Sequence, residues 1–362
     1  MAINTKPELT GEKAELLRNK QALESHSQPI NISGKTLTKF HIDEHNVKNL
    51  HIKNSDLIKY AHRRSHISNS SYTGIKFDIA SFSDSTLTNV TFEDSTFNEV
   101  GFIDTTMVNV TFKNCTFNDS KFSGLKGQAT FINSTLNAPD FYEAQAILEF
   151  DNSTITNASD PRVSGFDMQK LPAAIYLKDS KLLGESTSGP IRVGGTLTAF
   201  KATGGSIINV GIGDNIKDVE LSHAILDVSI NGHVDNLSVE SSQISRLAVG
   251  DTQFKHISIS SCHQPVRLLS FIDGNFNDLT IDQCTIQKFE PWAAHGANLD
   301  IRNSTLIDSN FQDAKLGELT LNNVTVGNIN LTNAQAGHVN TNKVSFTPNS
   351  QLKDSGSNIK LH

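Results

Sequence analysis

The sequence predicts an all-β solenoid, in which the chain coils around one narrow core and turns a corner every five residues. Three observations predict this fold. Apolar residues recur at every fifth position from Ile32 to Phe122, smaller side chains stand two positions before them, and only 37% of all residues are hydrophobic. A helix repeats every 3.6 residues and a strand every 2, so neither element alone explains a period of five. A low apolar share suits a solenoid, because each coil buries only a narrow inward stripe.

The N-terminal segment 1–29 is polar and charged. Within it, Thr10–Glu24 has a helical pattern that places Leu16, Leu17 and Leu23 towards one face. Because the ends of a solenoid expose a hydrophobic cross-section, we predict that this helix caps the first coil. The segment contains no apolar run of the kind found in signal peptides, so we expect no classical secretory signal and a cytoplasmic protein.

The repeat region is predicted to span 30–341. In the series Ile32–Phe122 every fifth residue is apolar except His62, and the second series, Ile75–Ser120, contains small or medium residues. One large and one small inward residue per five can fill a narrow tube at native packing density. The other positions hold mostly Asp, Asn, Glu, Lys, Ser and Thr, as expected of residues that face solvent.

The period is interrupted in several places. It moves by one residue after Gly124–Gly127 and is hard to follow through 144–217, where Asp160–Gly165 and Gly184–Pro190 have the composition of loops. The region 144–217 is therefore predicted to be either an insertion or a set of irregular coils. The period returns at Val234, with larger residues at the smaller inward position, which predicts wider coils.

Two segments near the C-terminus lack the repeat. The segment 287–298 contains the only tryptophan, Trp292, and is predicted to be a loop that protrudes from the coils. The segment 342–362 is rich in Ser, Asn and Lys, and we predict an irregular cap or a loose tail.

Two pentapeptides show a family pattern most clearly. Ser95-Thr96-Phe97-Asn98-Glu99 and Cys115-Thr116-Phe117-Asn118-Asp119 place a small residue two positions before a phenylalanine. In this the sequence resembles the pentapeptide-repeat family, although Thr stands where that family usually has Asn or Asp. The resemblance implies a right-handed, four-sided parallel β-helix with about 20 residues per coil.

Composition limits the possible functions. The net charge is −7 over 362 residues, which gives no reason to expect nucleic-acid binding. No stretch approaches the roughly 18 apolar residues that span a membrane. Cys115, Cys262 and Cys284 are far apart and include no CxxC pair, so we interpret all three as residues that fill the smaller inward position in a reducing compartment.

Two places are candidates for contact with a partner. His62, Arg63 and Arg64 form a basic cluster, interpreted either as a contact patch or, preferably, as an irregular coil with solvated charges. Trp292 and His295 are either an anchor for a protein partner or a lid over the coils, since tryptophan is favoured at the centres of interfaces.

No catalytic, cofactor or metal site is expected, because the sequence has no phosphate loop, GxSxG or HExxH motif. The first functional hypothesis is therefore a non-enzymatic protein that binds a protein partner of unknown identity through a rigid β-helical surface. The resemblance is to a mostly bacterial family that includes effectors exported into host cells. Two alternatives are a DNA mimic that interacts with gyrase, which would require a strongly acidic rod, and a carbohydrate-active β-helix enzyme.

Overall fold

The computed structural model describes residues 6–156, 165–168, 173–184, 189–250, 253–348 and 350–361. It divides the chain into two compact units, unit 1 (Met1–Ile191) and unit 2 (Arg192–His362). Residues 160–164 and 185–188, which form most of the two predicted loops, lie outside the described residues.

Unit 1 begins with two short helices and continues as short parallel strands. The helices are α1 (Glu12–Arg18) and α2 (Lys20–Ser25). The strands are β1 (Ile30–Ser33), β2 (Thr36–Thr38), β3 (His41–Asp43), β4 (Asn46–Lys48), β5 (Leu50–Lys53), β6 (Asp56–Ile58), β7 (Ala61–Arg63), β8 (His66–Thr73), β9 (Lys76–Asp78), β10 (Thr86–Glu93), β11 (Thr96–Asn98), β12 (Thr106–Lys113), β13 (Thr116–Asn118), β14 (Lys126–Ile132), β15 (Thr135–Asn137), β16 (Gln145–Asp151), β17 (Thr154–Thr156), β18 (Gly165–Met168), β19 (Ala174–Lys178) and β20 (Lys181–Leu183).

Unit 2 consists of longer parallel strands. These are β21 (Ile191–Thr203), which starts at the last residue of unit 1, β22 (Ser206–Ile212), β23 (Asn215–Ser222), β24 (Ile225–Ile230), β25 (His233–Glu240), β26 (Gln243–Val249), β27 (Gln253–Ser260), β28 (Leu268–Ser270), β29 (Asn275–Asp282), β30 (Thr285–Glu290), β31 (His295–Arg302), β32 (Thr305–Asn310), β33 (Lys315–Asn330), β34 (Gln335–Phe346) and β35 (Leu352–Lys353).

The strand register confirms the predicted fold class. In unit 1, Ile67 pairs in parallel with Leu87, and Leu87 pairs with Met107, so that one coil contains twenty residues. In unit 2, Leu299 pairs in the same way with Leu279 and Leu319. Each unit is therefore a parallel β-solenoid whose coils hold about 20 residues, as predicted.

One coil of unit 1 is longer than the rest. Phe150 pairs with Leu177, twenty-seven positions later, whereas Phe131 pairs with Phe150 across nineteen. The described part of 144–217 nevertheless consists of paired strands, and the extra residues of this coil fall between β17 and β19.

Stacked aromatic rings fill the core of unit 1. The rings of Tyr72, Phe92, Phe112, Phe131 and Phe150 follow one another in successive coils at 4.9 Å between centroids. A second stack is formed by Phe82, Phe102, Phe122, Phe141 and Phe166. Phenylalanine suits these positions because it fills the stack without a polar group that would need a partner, whereas Tyr72, the first ring, has its hydroxyl beside His62.

The smaller inward position often holds serine because the coil supplies its hydrogen bonds. Ser95 Oγ accepts the N–H of Ile75 in the preceding coil (3.1 Å) and donates to the carbonyl of Glu93 (2.8 Å). The same pattern recurs along the chain at Ser65, Ser85, Ser134, Ser153 and Ser180. A buried hydroxyl with both partners supplied carries little penalty.

The corners of the coils explain many of the Asn and Asp residues. Asn89, Asp94, Asn109, Asn114 and Asp119 have φ between 52° and 55°. This left-handed conformation strains most L-residues, and Asn and Asp adopt it more readily than others. These side chains therefore shape the corners and do not merely face solvent.

The N-terminal helical segment differs in detail from the prediction. Asn19 interrupts the expected single helix with an extended backbone, and its side chain accepts the N–H of Ala22 (3.0 Å). Leu17 and Leu23 are buried, and the two helices contact β3 and β4 of the first coil. The guanidinium of Arg18 lies 4.6 Å from the ring centre of Phe40.

The structure corrects the predicted loop at 287–298. Strand β30 continues to Glu290, β31 begins at His295, and only Pro291–Ala294 forms a turn. Phe289 pairs with Leu269, twenty positions before it, so this coil contains no additional residues that could protrude. The prediction failed because Pro, Trp and Gly interrupted the sequence pattern without lengthening the coil.

The predicted end of the solenoid at 341 is also wrong. Strand β34 continues to Phe346, and β35 pairs with the end of β33. In the following segment Asn358 bonds to both the N–H and the carbonyl of Ala336 (2.8 and 2.9 Å), and Ile359 is buried. Within the described residues, no helix is long and apolar enough to cross a membrane.

Candidate interaction surface

Arg63 and Arg64 are exposed at the end of β7 in unit 1. Arg64 forms an ion pair with Glu44 at 2.9 Å, in which both side chains are more than half exposed. An ion pair this open to solvent contributes little to stability. The two arginines therefore remain accessible to a partner, but they lie in a different unit from Trp292 and His295.

His62 corrects the interpretation of the basic cluster. It does not lie in an irregular coil with solvated charges; it pairs in register with Ile42 and is completely buried at the large inward position. Its ring stacks on Phe82 at 5.6 Å, and its Nε2 lies 2.6 Å from the Tyr60 hydroxyl and 3.2 Å from the Tyr72 hydroxyl. His62 is therefore unavailable to a partner.

Burial fixes the charge of this group of residues. Burial, with a smaller effect of His45, lowers the pKa of His62 to about 3, and the nearby Ile42 carbonyl opposes the shift only weakly. Burial also raises the pKa of Tyr60 and of Tyr72. A neutral His62 accepts a hydrogen bond from Tyr60 at Nε2 and carries its proton on Nδ1, which has no well-formed hydrogen bond to the described residues.

Trp292 lies in the turn between β30 and β31 of unit 2. The residue is 39% exposed. Hydrogen bonds from Asn333 and Gln312, with a smaller one from Trp292, lower the pKa of Asp313. Trp292 therefore lies beside Asp313, with part of the residue open to solvent.

His295, the first residue of β31, lies in a groove with a volume of about 490 Å³. The groove is lined by His233, Gln253, Phe254, Lys255, Asn275, Phe276, Asn277, His295, Gly296, Ala297 and Lys315. His295 pairs with Asn275 and with Lys315, so the coil register sets these three side chains side by side.

Gly296, which lines the groove, leaves room for a neighbouring aromatic ring. A Cβ at Gly296 would collide with the ring of Phe276, which occupies the space above it. Any larger residue at this position would push the ring aside. Close to the groove, hydrogen bonds from Lys255 and His233 lower the pKa of Asp235, whose carboxylate lies 2.9 Å from the Lys255 amine.

Sequence inspection identified His295 but missed most of its neighbours. Lys255, Asn275 and Lys315 lie on three other coils. A search for polar residues twenty positions from His295 would have found Asn275 and Lys315, and a further step of twenty-two positions back from Asn275 would have found Gln253. That search requires the coil lengths, which the interrupted period between 250 and 299 did not reveal.

The cysteines are also reinterpreted. Cys115 is buried, and burial raises its pKa to about 12, which agrees with a residue that fills the core. Cys262 and Cys284, however, form a disulfide with their Cα atoms 4.9 Å apart. The coil between them contains twenty-two residues, as the pairing of Ser260 with Asp282 shows, so the two cysteines are stacked in neighbouring coils.

In the part of the chain that the structure describes, no group of three His, Cys, Asp or Glu side chains could hold a metal ion. Many carboxylates instead accept hydrogen bonds from asparagines one coil away, as Asp278 does from Asn298 (2.7 Å) and Asp308 from Asn328 (2.7 Å).

Fold and surface together define the chain as a β-solenoid protein. Residues 65–141 match the family model described as "Pentapeptide repeat region". The match lies within unit 1 and includes both pentapeptides, at 95–99 and 115–119, on which the sequence resemblance rests.

Two solved structures were found to be similar. One is HetL, a pentapeptide repeat protein involved in heterocyst differentiation regulation from the cyanobacterium Nostoc, at 10% identity and a TM-score of 0.22, covering 95% of this chain and 92% of that chain. The other is the catalytic domain of a GH87 alpha-1,3-glucanase in complex with nigerose, at 11% identity and a TM-score of 0.19, covering 99% and 70%. No curated protein matches the sequence. At these TM-scores neither likeness supports an argument about function.

Proposed function

We propose that this chain is a non-enzymatic interaction protein that binds another protein through unit 2. The observation that supports the proposal is the exposed Trp292 three residues before His295, which lines the groove. Tryptophan is enriched among the residues that dominate binding energy, and the groove, which begins three residues later in the chain at His295, can receive a protruding side chain.

The solenoid suits this role because its surface is organised before a partner arrives. The groove residues stand on β25, β27, β29, β31 and β33, which are fixed by ladder hydrogen bonds and by buried side chains on their inner faces. Binding to such a surface costs little additional ordering of the main chain.

The proposal extends to a bacterial effector whose partner is a protein of a host cell. The family resemblance and the polar segment 1–29 support this extension. A net charge of −7 on 362 residues does not favour a mimic of DNA.

The test is affinity capture from a bacterial and a eukaryotic lysate, using the wild-type chain and three variants. Trp292→Ala and His295→Ala alter the proposed surface. Tyr142→Ala removes an aromatic side chain that is similarly exposed (48%) but lies in unit 1, and so is the matched control. Each captured protein is then purified and titrated against the same variants by calorimetry.

We expect a stoichiometric partner whose affinity falls at least about tenfold in Trp292→Ala and is unchanged in Tyr142→Ala. A eukaryotic partner would support the effector role, and a bacterial partner would overturn that extension alone. Equal binding by all variants would contradict the proposed surface. The last outcome combines two results. If no purified protein binds, and the chain releases reducing sugar from any of a panel of polysaccharides, the chain is an enzyme and the proposal fails.

A further inference from the structure

A serine interrupts a column of large apolar residues in unit 2. Phe289 in β30 pairs with Ser309 in β32, and Ser309 pairs with Ile329 in β33. Leu269 precedes Phe289 in the same inward column. A serine is ordinary at the smaller inward position of a pentapeptide, but its neighbours along this column are all large.

The missing side-chain volume leaves a notch in the surface. The notch has a volume of about 170 Å³ and is lined by Lys288, Phe289, Glu290, Asp308, Ser309, Asn310, Asn328, Ile329, Asn330, Gln351 and Lys353. An apolar cavity of roughly 150 Å³ accepts a benzene ring. The notch is thus large enough for one six-membered ring.

Ser309 places one unmatched polar group at the base of the notch. The residue is 6% exposed, and its Oγ is buried without a hydrogen-bond partner among the residues that the structure describes. The serines at 95 and 304, by contrast, have their hydroxyls paired with the main chain. A buried hydroxyl left without a partner is unfavourable, so a ligand that supplies one would gain free energy.

Three pairs of polar side chains in the rim of the notch are already satisfied. Asn328 donates to Asp308 (2.7 Å), Asn330 donates to Asn310 (3.0 Å), and Lys288 forms an ion pair with Glu290 at 2.5 Å. Since these groups already satisfy one another, a ligand that carries many hydroxyl groups would gain little from them. A ring with one hydrogen-bonding group matches the notch better than a sugar does.

From this geometry we propose that the Ser309 notch is a binding site for a phenolic group. The ring occupies the volume between Phe289 and Ile329, and the phenol hydroxyl exchanges a hydrogen bond with Ser309 Oγ. The group belongs either to a tyrosine side chain or to a free small phenol. The site is separate from the groove at His295, and this proposal does not rest on the proposed function.

The test uses ligand-observed NMR titrations of the full chain with p-cresol, toluene and N-acetyl-L-tyrosine amide. Ser309→Ala removes the hydroxyl, and Ser309→Leu fills the notch with a side chain that matches the column. Ser258→Ala changes an exposed serine of β27 and is the control. Circular dichroism and thermal unfolding verify that each variant is folded.

We expect saturable binding of p-cresol that Ser309→Ala weakens about tenfold, Ser309→Leu abolishes and Ser258→Ala leaves unchanged. Toluene should bind more weakly and equally to wild type and Ser309→Ala. Binding of the tyrosine amide as well would identify a tyrosine side chain, and binding of p-cresol alone would identify a free phenol. No saturable p-cresol binding up to about 10 mM, or binding retained in Ser309→Leu, would overturn the proposal.

Discussion

Buried His62 should make the stability of unit 1 depend on pH. The folded chain keeps the ring neutral, because burial lowers the pKa from 6.5 to about 3. In the unfolded chain the ring takes up a proton as the pH falls below about 6.5, so the unfolded state binds more protons than the folded state. Stability is therefore complete above this pH and is lost progressively as the pH falls towards 3.

The size of the effect follows from the same two pKa values. Each pH unit inside this window corresponds to about 1.4 kcal/mol for one proton. At about pH 4.5 the loss amounts to roughly 3 kcal/mol, and the full window corresponds to about 5 kcal/mol. Because a typical domain is stable by only about 5–15 kcal/mol, a loss of this size is measurable.

Urea unfolding of His62→Gln, followed by circular dichroism from about pH 7.5 to 4.5, tests this reasoning. The glutamine amide can still bond to the tyrosine hydroxyls but does not titrate. We expect the variant to lose about 1.4 kcal/mol less per pH unit than wild type, while His66→Gln, a change at an exposed neighbour, should follow wild type. Parallel pH profiles for His62→Gln and wild type, or a His62 that titrates near its ordinary pKa by NMR, would refute it.

Three further predictions concern the coils. Phe97→Ala should lower the free energy of unfolding by about 3–5 kcal/mol, because its ring is stacked in the core. Glu99→Lys, at an exposed corner, should change it by less than about 0.5 kcal/mol. Chemical denaturation compares the two variants, and similar losses would refute the register. Mass spectrometry after alkylation of the oxidised, unfolded chain should find one reactive thiol, and three alkylated thiols would exclude the disulfide. Cys262→Ser should lower the free energy of unfolding by about 2–4 kcal/mol through loss of the bond to Cys284. Gly127→Ala should destabilise unit 1 by more than about 1 kcal/mol, because φ is 89° and a Cβ there meets a carbonyl of the preceding coil. Thermal unfolding measures the change, and an unchanged midpoint would contradict this prediction.

The sequence by itself determined the period, the inward residues and the fold class. A five-residue repeat can be read directly, because each corner demands the same few residue types locally. The large residues from Ile32 to Phe122 and the small ones from Ile75 to Ser120 are buried as predicted. The corner Asn and Asp residues, and the serine hydroxyls that donate to a carbonyl two residues earlier, as Ser95 does to Glu93, act within their own coil.

Only the tertiary structure decided what lies one coil away. A residue in a solenoid touches neighbours about twenty positions distant, and that distance varies from eighteen between Val219 and Leu237 to twenty-seven between Phe150 and Leu177. The stacked cysteines and the Ser309 column depend on those lengths, which no local pattern records. Interior packing likewise decided that His62 is buried, because the cost of burying a neutral imidazole depends on the tyrosines that surround it.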